Sequence, residues 1–128
     1  ERVITPTPSF AIELQMDRRS GMPAAHCCLR ASVRGVLAVG ELLRTGGARG
    51  LPEGWVAEML KGSRANPEFG LQIEKASTAG VETWRIGGPQ GGRLWIVPRE
   101  ELSIAILAPR DASIPDRLIA GLLADLRK

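Results

Sequence analysis

The residues that could form a Ser–His or Cys–His nucleophile pair are few in this chain. They are Ser9, Ser20, Ser32, Ser63, Ser77, Ser103 and Ser113, the adjacent Cys27 and Cys28, and one histidine, His26. A Ser–His or Cys–His mechanism needs the base within reach of the nucleophile and a third group to orient it. No such set surrounds His26, which reads as a structural histidine. Neighbouring cysteines rarely bridge each other, because a disulfide strains the peptide between them. Cys27 and Cys28 therefore read as small apolar side chains of the interior, and nothing near them has zinc-ligand spacing. The run GGPQGG at 87–92 invites a phosphate-loop reading. No Gly-Lys-Ser/Thr follows it and no helix opens after it, so it reads as a turn between strands. Arg85 and Arg93 flank that turn. A guanidinium there can meet a substrate carboxylate, although a solvated charge on an outer strand face is the default. Trp55 and Trp95 read as core or cleft wall.

The elements that must position these groups follow from periodicity. Residues 10–16 (FAIELQM) alternate as a short strand, and DRRSGMP at 17–23 is a turn. Residues 33–45 (VRGVLAVGELLRT) carry an apolar stripe at helical spacing, with Ser32 as N-cap and Gly46-Gly47 as the stop; GGARG at 46–50 has the same role. The interior Gly35 and Gly40 each weaken that helix by about 1 kcal/mol relative to Ala, so it needs tertiary support. A second short helix is expected at 52–61, with Pro52 and Glu53 in its first turn and Trp55, Val56, Met59 and Leu60 on its apolar face. KGSRANPE is a loop. Strands are expected at about 69–76, 82–86, 93–98 and 102–108, with Phe69, Leu71 and Ile73 on one face of the first and PREE as the tight turn before the last. A closing helix at 114–127 starts at Pro115-Asp116 and aligns Leu118, Ile119, Leu122, Leu123 and Leu126. Burying those five would contribute about 1.5–3 kcal/mol each. The fold class is α+β: an antiparallel sheet with a packed C-terminal helix and two further helices.

At 128 residues the chain is a single domain or a fragment of one, with 44% hydrophobic residues and a net charge of +3. The arginines are scattered and aromatics are 4%. A nucleic-acid interface needs a clustered basic footprint and stacking platforms, so that class is set aside. No apolar run is long enough for a membrane span. The opening ERVITPTPSF has no signal-peptide pattern, and Pro6 and Pro8 suggest an extended lead-in. A start at Glu1 suggests a cleaved or shortened chain.

Taken in order, three segments resemble the C-terminal half of the serine β-lactamase and penicillin-binding-protein-like hydrolases. They are AAHCCLRASVRGVLAVGELLRTGG, GLPEGWVAEMLKGSRANPEFGLQI and GGRLWIVPREELSIAIL. The similarity covers roughly residues 10–125. It implies a partial β-lactamase-like fold, and relatives that include class C type β-lactamases, carboxylesterases, D-aminopeptidases and oligoamide hydrolases. Chemistry of that type uses a Ser-x-x-Lys turn, a Tyr-x-Asn-type element and a Lys- or His-x-Gly on an edge strand. No serine here is followed by Lys three residues on, and the chain has no Tyr. The third element falls at Ile86-Gly87-Gly88, where Ile86 replaces the usual Lys or His; some esterase-like relatives have Trp-x-Gly, which brings in Trp84. Gly35 stands where an acid usually follows the arginine of the first helix, so the carboxylate of a capping box is absent at that position.

The resemblance therefore implies no catalytic residue in this chain. It implies Trp84, Ile86, Gly87 and Gly88 as substrate-side residues, no metal and no cofactor. The expected function is the C-terminal segment of a hydrolase acting on an amide, ester or lactam through an acyl-enzyme. An N-terminal companion segment or chain would supply Ser, Lys and Tyr. The other expectation is an inactive binding or assembly module, built on that companion or on a homo-oligomer. The resemblance is to bacterial-type proteins, periplasmic or cytoplasmic. The apolar strand at 102–108 should have its free edge filled by the companion, by a symmetry mate or by residues 10–16, since a bare apolar edge invites aggregation.

Overall fold

The computed structural model describes residues 12–14, 18–19, 21, 29–47, 51–88, 92–107 and 113–128. In chain order they form β1 (Ile12–Leu14), β2 (Leu29–Ala31), α1 (Val33–Arg44), α2 (Trp55–Leu60), β3 (Glu74–Thr78), β4 (Val81–Gly87), β5 (Arg93–Val97), β6 (Leu102–Ile106) and α3 (Ser113–Asp125). β3-β4-β5-β6 is an antiparallel four-stranded sheet in sequence order, and β1 pairs with β2 in a separate ribbon. The architecture is α+β, as the periodicity implies. His26, Cys27, Cys28, Ser9, Ser20, Pro6 and Pro8 lie outside the described residues.

Alternation along the strands divides the core into two layers. On one face Ile73, Leu94 and Ile96 meet Leu43 of α1 and Val56 of α2, with Val36, Met59, Trp84, Ile86 and Ala105 around them. On the other, Val81, Trp95 and Val97 meet Ile119 and Leu123 of α3, flanked by Leu102, Ile104 and Ile106. Trp95, Ile96, Val97 and Ile73 are fully buried, so β5 is apolar on both faces and forms the centre of the structure.

Helix α1 is held by its ends and by one close approach. Ser32 is extended at the N-cap, and its hydroxyl accepts a hydrogen bond from Gly35 N at 3.1 Å. The Gly46 and Gly47 amides donate to the carbonyls of Leu43 (3.1 Å) and Leu42 (2.7 Å), a Schellman closure in which both glycines take positive φ. A Cβ on Gly40 would lie 2.9 Å from Leu94 Cδ1 and 3.1 Å from Ser103 Cβ. The glycine costs intrinsic helicity and lets α1 sit directly on β5 and β6.

Several expectations need correction. Residues 69–76 are not one strand: Phe69 makes only an isolated bridge with Glu74, and β3 begins at Glu74. Between them Gly70 N donates to Ile73 O at 2.8 Å and Gln72 has φ 62, so the chain reverses. Ile73 is buried, whereas Phe69 (45%) and Leu71 (55%) are exposed. The second helix starts at Trp55 instead of 52, because Gly54 at its N-cap is left-handed with φ 76. Trp55 is 42% exposed. Of the five apolar residues expected to face the core from α3, Ile119 and Leu123 are buried and Leu118, Leu122 and Leu126 are exposed, because a single sheet face below the helix reaches one narrow stripe of it. Of residues 10–16, Ile12–Leu14 form β1, which pairs with β2, an element absent from the expectations, and not with β6. The turn at 17–23 is seen in part, where Gly21 N donates to Arg18 O at 2.9 Å.

Candidate functional site

The four residues assigned to the substrate side lie along β4 and the turn after it. Trp84 and Ile86 point to the α1/α2 face and are half-buried against Leu43, Val56, Ile73, Leu94 and Ile96. Trp84 pairs with Lys75 on β3 and Ile96 on β5. Its indole N–H donates to Glu82 Oε1 at 3.0 Å. Ile86 pairs with Leu94. Gly87 closes β4 opposite Arg93, and Gly88 N donates to Gly92 O at 3.0 Å. Both glycines are exposed, and a Cβ at Gly87 would meet nothing within 4 Å. The structure thus brings Trp84 and Ile86 into an apolar layer and leaves Gly87 and Gly88 at the rim. The segment 89–91 is outside the described residues.

A shallow depression of about 700 Å³ lies beside Trp84 and not over the glycine pair; Glu68, Lys75, Ala76, Ser77 and Glu82 line it. Strand register explains its make-up. Lys75 and Ser77 share a face of β3, and Ser77 pairs with Glu82. An ammonium, a hydroxyl and two carboxylates at an open surface can bind polar groups. Among the described residues no hydrogen bond joins the Ser77 hydroxyl to Lys75, so no activated nucleophile is assembled there.

The other serines have structural positions where they are described. Ser32 caps α1. Ser63 Oγ accepts from Asn66 N at 2.9 Å and Ser63 N donates to Asn66 O at 3.0 Å, closing the loop after α2. Ser103 faces α1 near Gly40. Glu41, one residue on, has its carboxyl held below the usual range by the hydrogen bond from Arg44, and partial burial opposes this. Among the described residues no cluster of His, Cys, Asp and Glu can hold a metal ion, and no helix is long and apolar enough to cross a membrane.

Arg85 is not a free solvated charge. It lies on the α3 face, where its Nη2 donates to Glu74 Oε1 at 2.6 Å and its Nη1 stands 3.7 Å from Asp116 Oδ1. These contacts tie the first turn of α3 to β3 and β4. The pairing of Arg85 with Glu74 across β3–β4 was not readable before register was known. Arg93 is half-buried opposite Gly87.

The described residues form an α+β fold with an antiparallel sheet, helices on both of its faces and the apolar strand β6 at one edge. No known protein-family model matches the sequence, and no curated protein matches it.

Proposed function

We propose that this chain is the C-terminal segment of a β-lactamase-like serine hydrolase that acts on an amide, ester or lactam. The observation that carries the reading is the ordered layering of its elements. A capped helix ending in Gly-Gly, a short helix and a Phe-Gly turn precede four antiparallel strands and a terminal helix, with α1 and α2 on one face of the sheet and α3 on the other. Among the described residues β6 has no partner on its outer edge and Leu118, Leu122 and Leu126 of the α3 segment are exposed, which adds support, since a companion segment would cover both. In this reading the companion supplies the nucleophilic Ser, its Lys and a Tyr. The Ser oxygen attacks the carbonyl as Lys takes its proton; the leaving group departs with a proton, and water releases the acyl group. Trp84, Ile86, Gly87 and Gly88 form the sheet-side wall of the substrate cleft.

A specific observation favours a second reading, an inactive binding or assembly module. Ile86 occupies the position of the usual Lys or His and belongs to the apolar layer. Gly35 at the third position of α1 offers no carboxylate to Ser32. The test is the intact mass of the protein from its source, native and denatured, with labelling by a fluorophosphonate and by penicillin. A second polypeptide or longer frame bearing Ser-x-x-Lys that takes the label supports the hydrolase. A complete frame with that motif and no label supports the inactive module, and a frame without it sinks the family reading.

A further inference from the structure

Three buried polar atoms on the α3 face of the sheet have no hydrogen-bond partner among the described residues: Arg85 Nε, Trp95 Nε1 and Asp116 Oδ1. They come from three elements that meet near the start of α3. Arg85 on β4 and Trp95 on β5 stand opposite each other in register, which places their Cβ atoms about 5 Å apart on one face. Asp116 Oδ1 is 3.7 Å from Arg85 Nη1, an ionic contact too long for a hydrogen bond. Asp116 also lies one helical turn before Ile119, which packs with Trp95. Trp95 is fully buried, so its indole N–H does not reach bulk solvent. Bare polar atoms in a protein interior are rare, because each loses its hydration without a replacement.

The chemistry of the three atoms selects what binds between them. Two are N–H donors, and the third is a carboxylate oxygen that only accepts. A metal ion cannot use the N–H groups, and ammonium has no lone pair to offer them. Chloride can accept from both but has nothing to donate to Asp116. The charges at the site are Arg85 against Glu74 and Asp116, so a further anion is repelled. Water accepts from both N–H groups and donates to Asp116 Oδ1, and internal waters commonly make about three such bonds. We infer that one internal water is bound between Arg85, Trp95 and Asp116 and joins the first turn of α3 to β4 and β5. The bridge fixes where α3 sits. The apolar contacts of Ile119 and Leu123 are non-directional, so they alone leave the helix free to slide or rotate on the sheet. Donors held on two strands accept only one placement of Asp116. At the other end of the helix, Arg127 Nη1 donates to Ala79 O at 3.1 Å. The inference does not depend on the hydrolase reading.

The test uses the full chain, isotope-labelled, with water-selective NOESY and ROESY spectra read at the indole proton of Trp95. The expected result is a water cross peak of opposite sign in the two spectra, which a held water gives and chemical exchange does not. Asp116→Asn keeps Oδ1 and should keep the peak. Asp116→Ala removes the acceptor and should lose it, with indole hydrogen exchange about fivefold faster. No peak in the unaltered chain, or one of the same sign in both spectra, would overturn the site. So would a peak lost in Thr83→Val, which would name the buried Thr83 hydroxyl on the same face of β4 as its source. Retention of the peak in Asp116→Ala, or its loss in Asp116→Asn, would remove Asp116 from the bridge and overturn the inference. If Asp116→Ala does not fold, the unaltered chain and Asp116→Asn still decide.

Discussion

Gly70→Ala adds one methyl group and should cost more than most core truncations. A Cβ built on Gly70 lies 2.0 Å from Met59 O and 3.0 Å from Met59 C. Ordinary carbon–oxygen contacts are about 3.3 Å or more, so the two backbone segments must separate by about 1 Å. That separation works against two hydrogen bonds, Leu71 N to Met59 O and Gly70 N to Ile73 O, each 2.8 Å. Weakening them contributes about 0.5–1.5 kcal/mol apiece, and relieving the overlap contributes about 1–3 kcal/mol. A total of about 2–6 kcal/mol is expected, read as a lower urea midpoint at unchanged m-value. The matched control is Gly121→Ala on α3, where a Cβ meets nothing within 4 Å. There the better helix propensity of Ala should stabilise by about 0.5–1 kcal/mol. If both variants move the midpoint in the same direction, or Gly70→Ala shifts it by less than about 0.5 kcal/mol, the close crossing at Met59 is not a real constraint.

Leu123→Ala should destabilise by about 2–5 kcal/mol, because Leu123 is 1% exposed against Trp95 and Val97, while Leu122→Ala one residue earlier should stay within about 0.5 kcal/mol; thermal melts of the two separate the buried stripe from the bare one. Ser32→Ala removes the acceptor for Gly35 N and should cost about 0.5–2 kcal/mol, read by chemical denaturation. Glu41 has a lowered carboxyl pKa, set first by the Arg44 hydrogen bond. A depressed folded-state pKa contributes stability above the ordinary glutamate range and loses it as pH falls through the folded value. Glu41→Gln should therefore flatten the acid limb of stability below about pH 4. With the side chain 47% exposed, solvent screening limits the effect to a few tenths of a kcal/mol; a larger change near neutral pH would refute the assignment.

Much of the architecture was legible because it depends on local chemistry. Ser32, the stripe from Val36 to Leu43 and the Gly46-Gly47 stop specify α1 to within a residue. The β4–β5–β6 meander follows from alternation and from turn residues at either side. What failed did so for reasons of distance along the chain. Phe69, Leu71 and Ile73 alternate like a strand, and only the contact of Gly70 with Met59 reveals a reversal there. Leu29–Ala31 is three residues long and becomes a strand only through pairing with Ile12–Leu14. For the candidate site, Gly87 and Gly88 were readable as a turn, but the shared layer of Trp84 and Ile86 with α1 and α2 required strand register.

The sequence by itself determined the helices α1 and α3, the β4–β5–β6 meander, and that no serine has a lysine one helical turn away. Those properties depend on side-chain type and on spacing of a few residues. Tertiary structure decided which half of an apolar stripe is covered. Leu123 and Leu122 are adjacent and chemically identical, and α3 presents one to the sheet and the other to the surface. It also decided that Arg85 meets Glu74 and Asp116. Burial and ion pairing arise between segments far apart in the chain, and no local pattern encodes which segments meet.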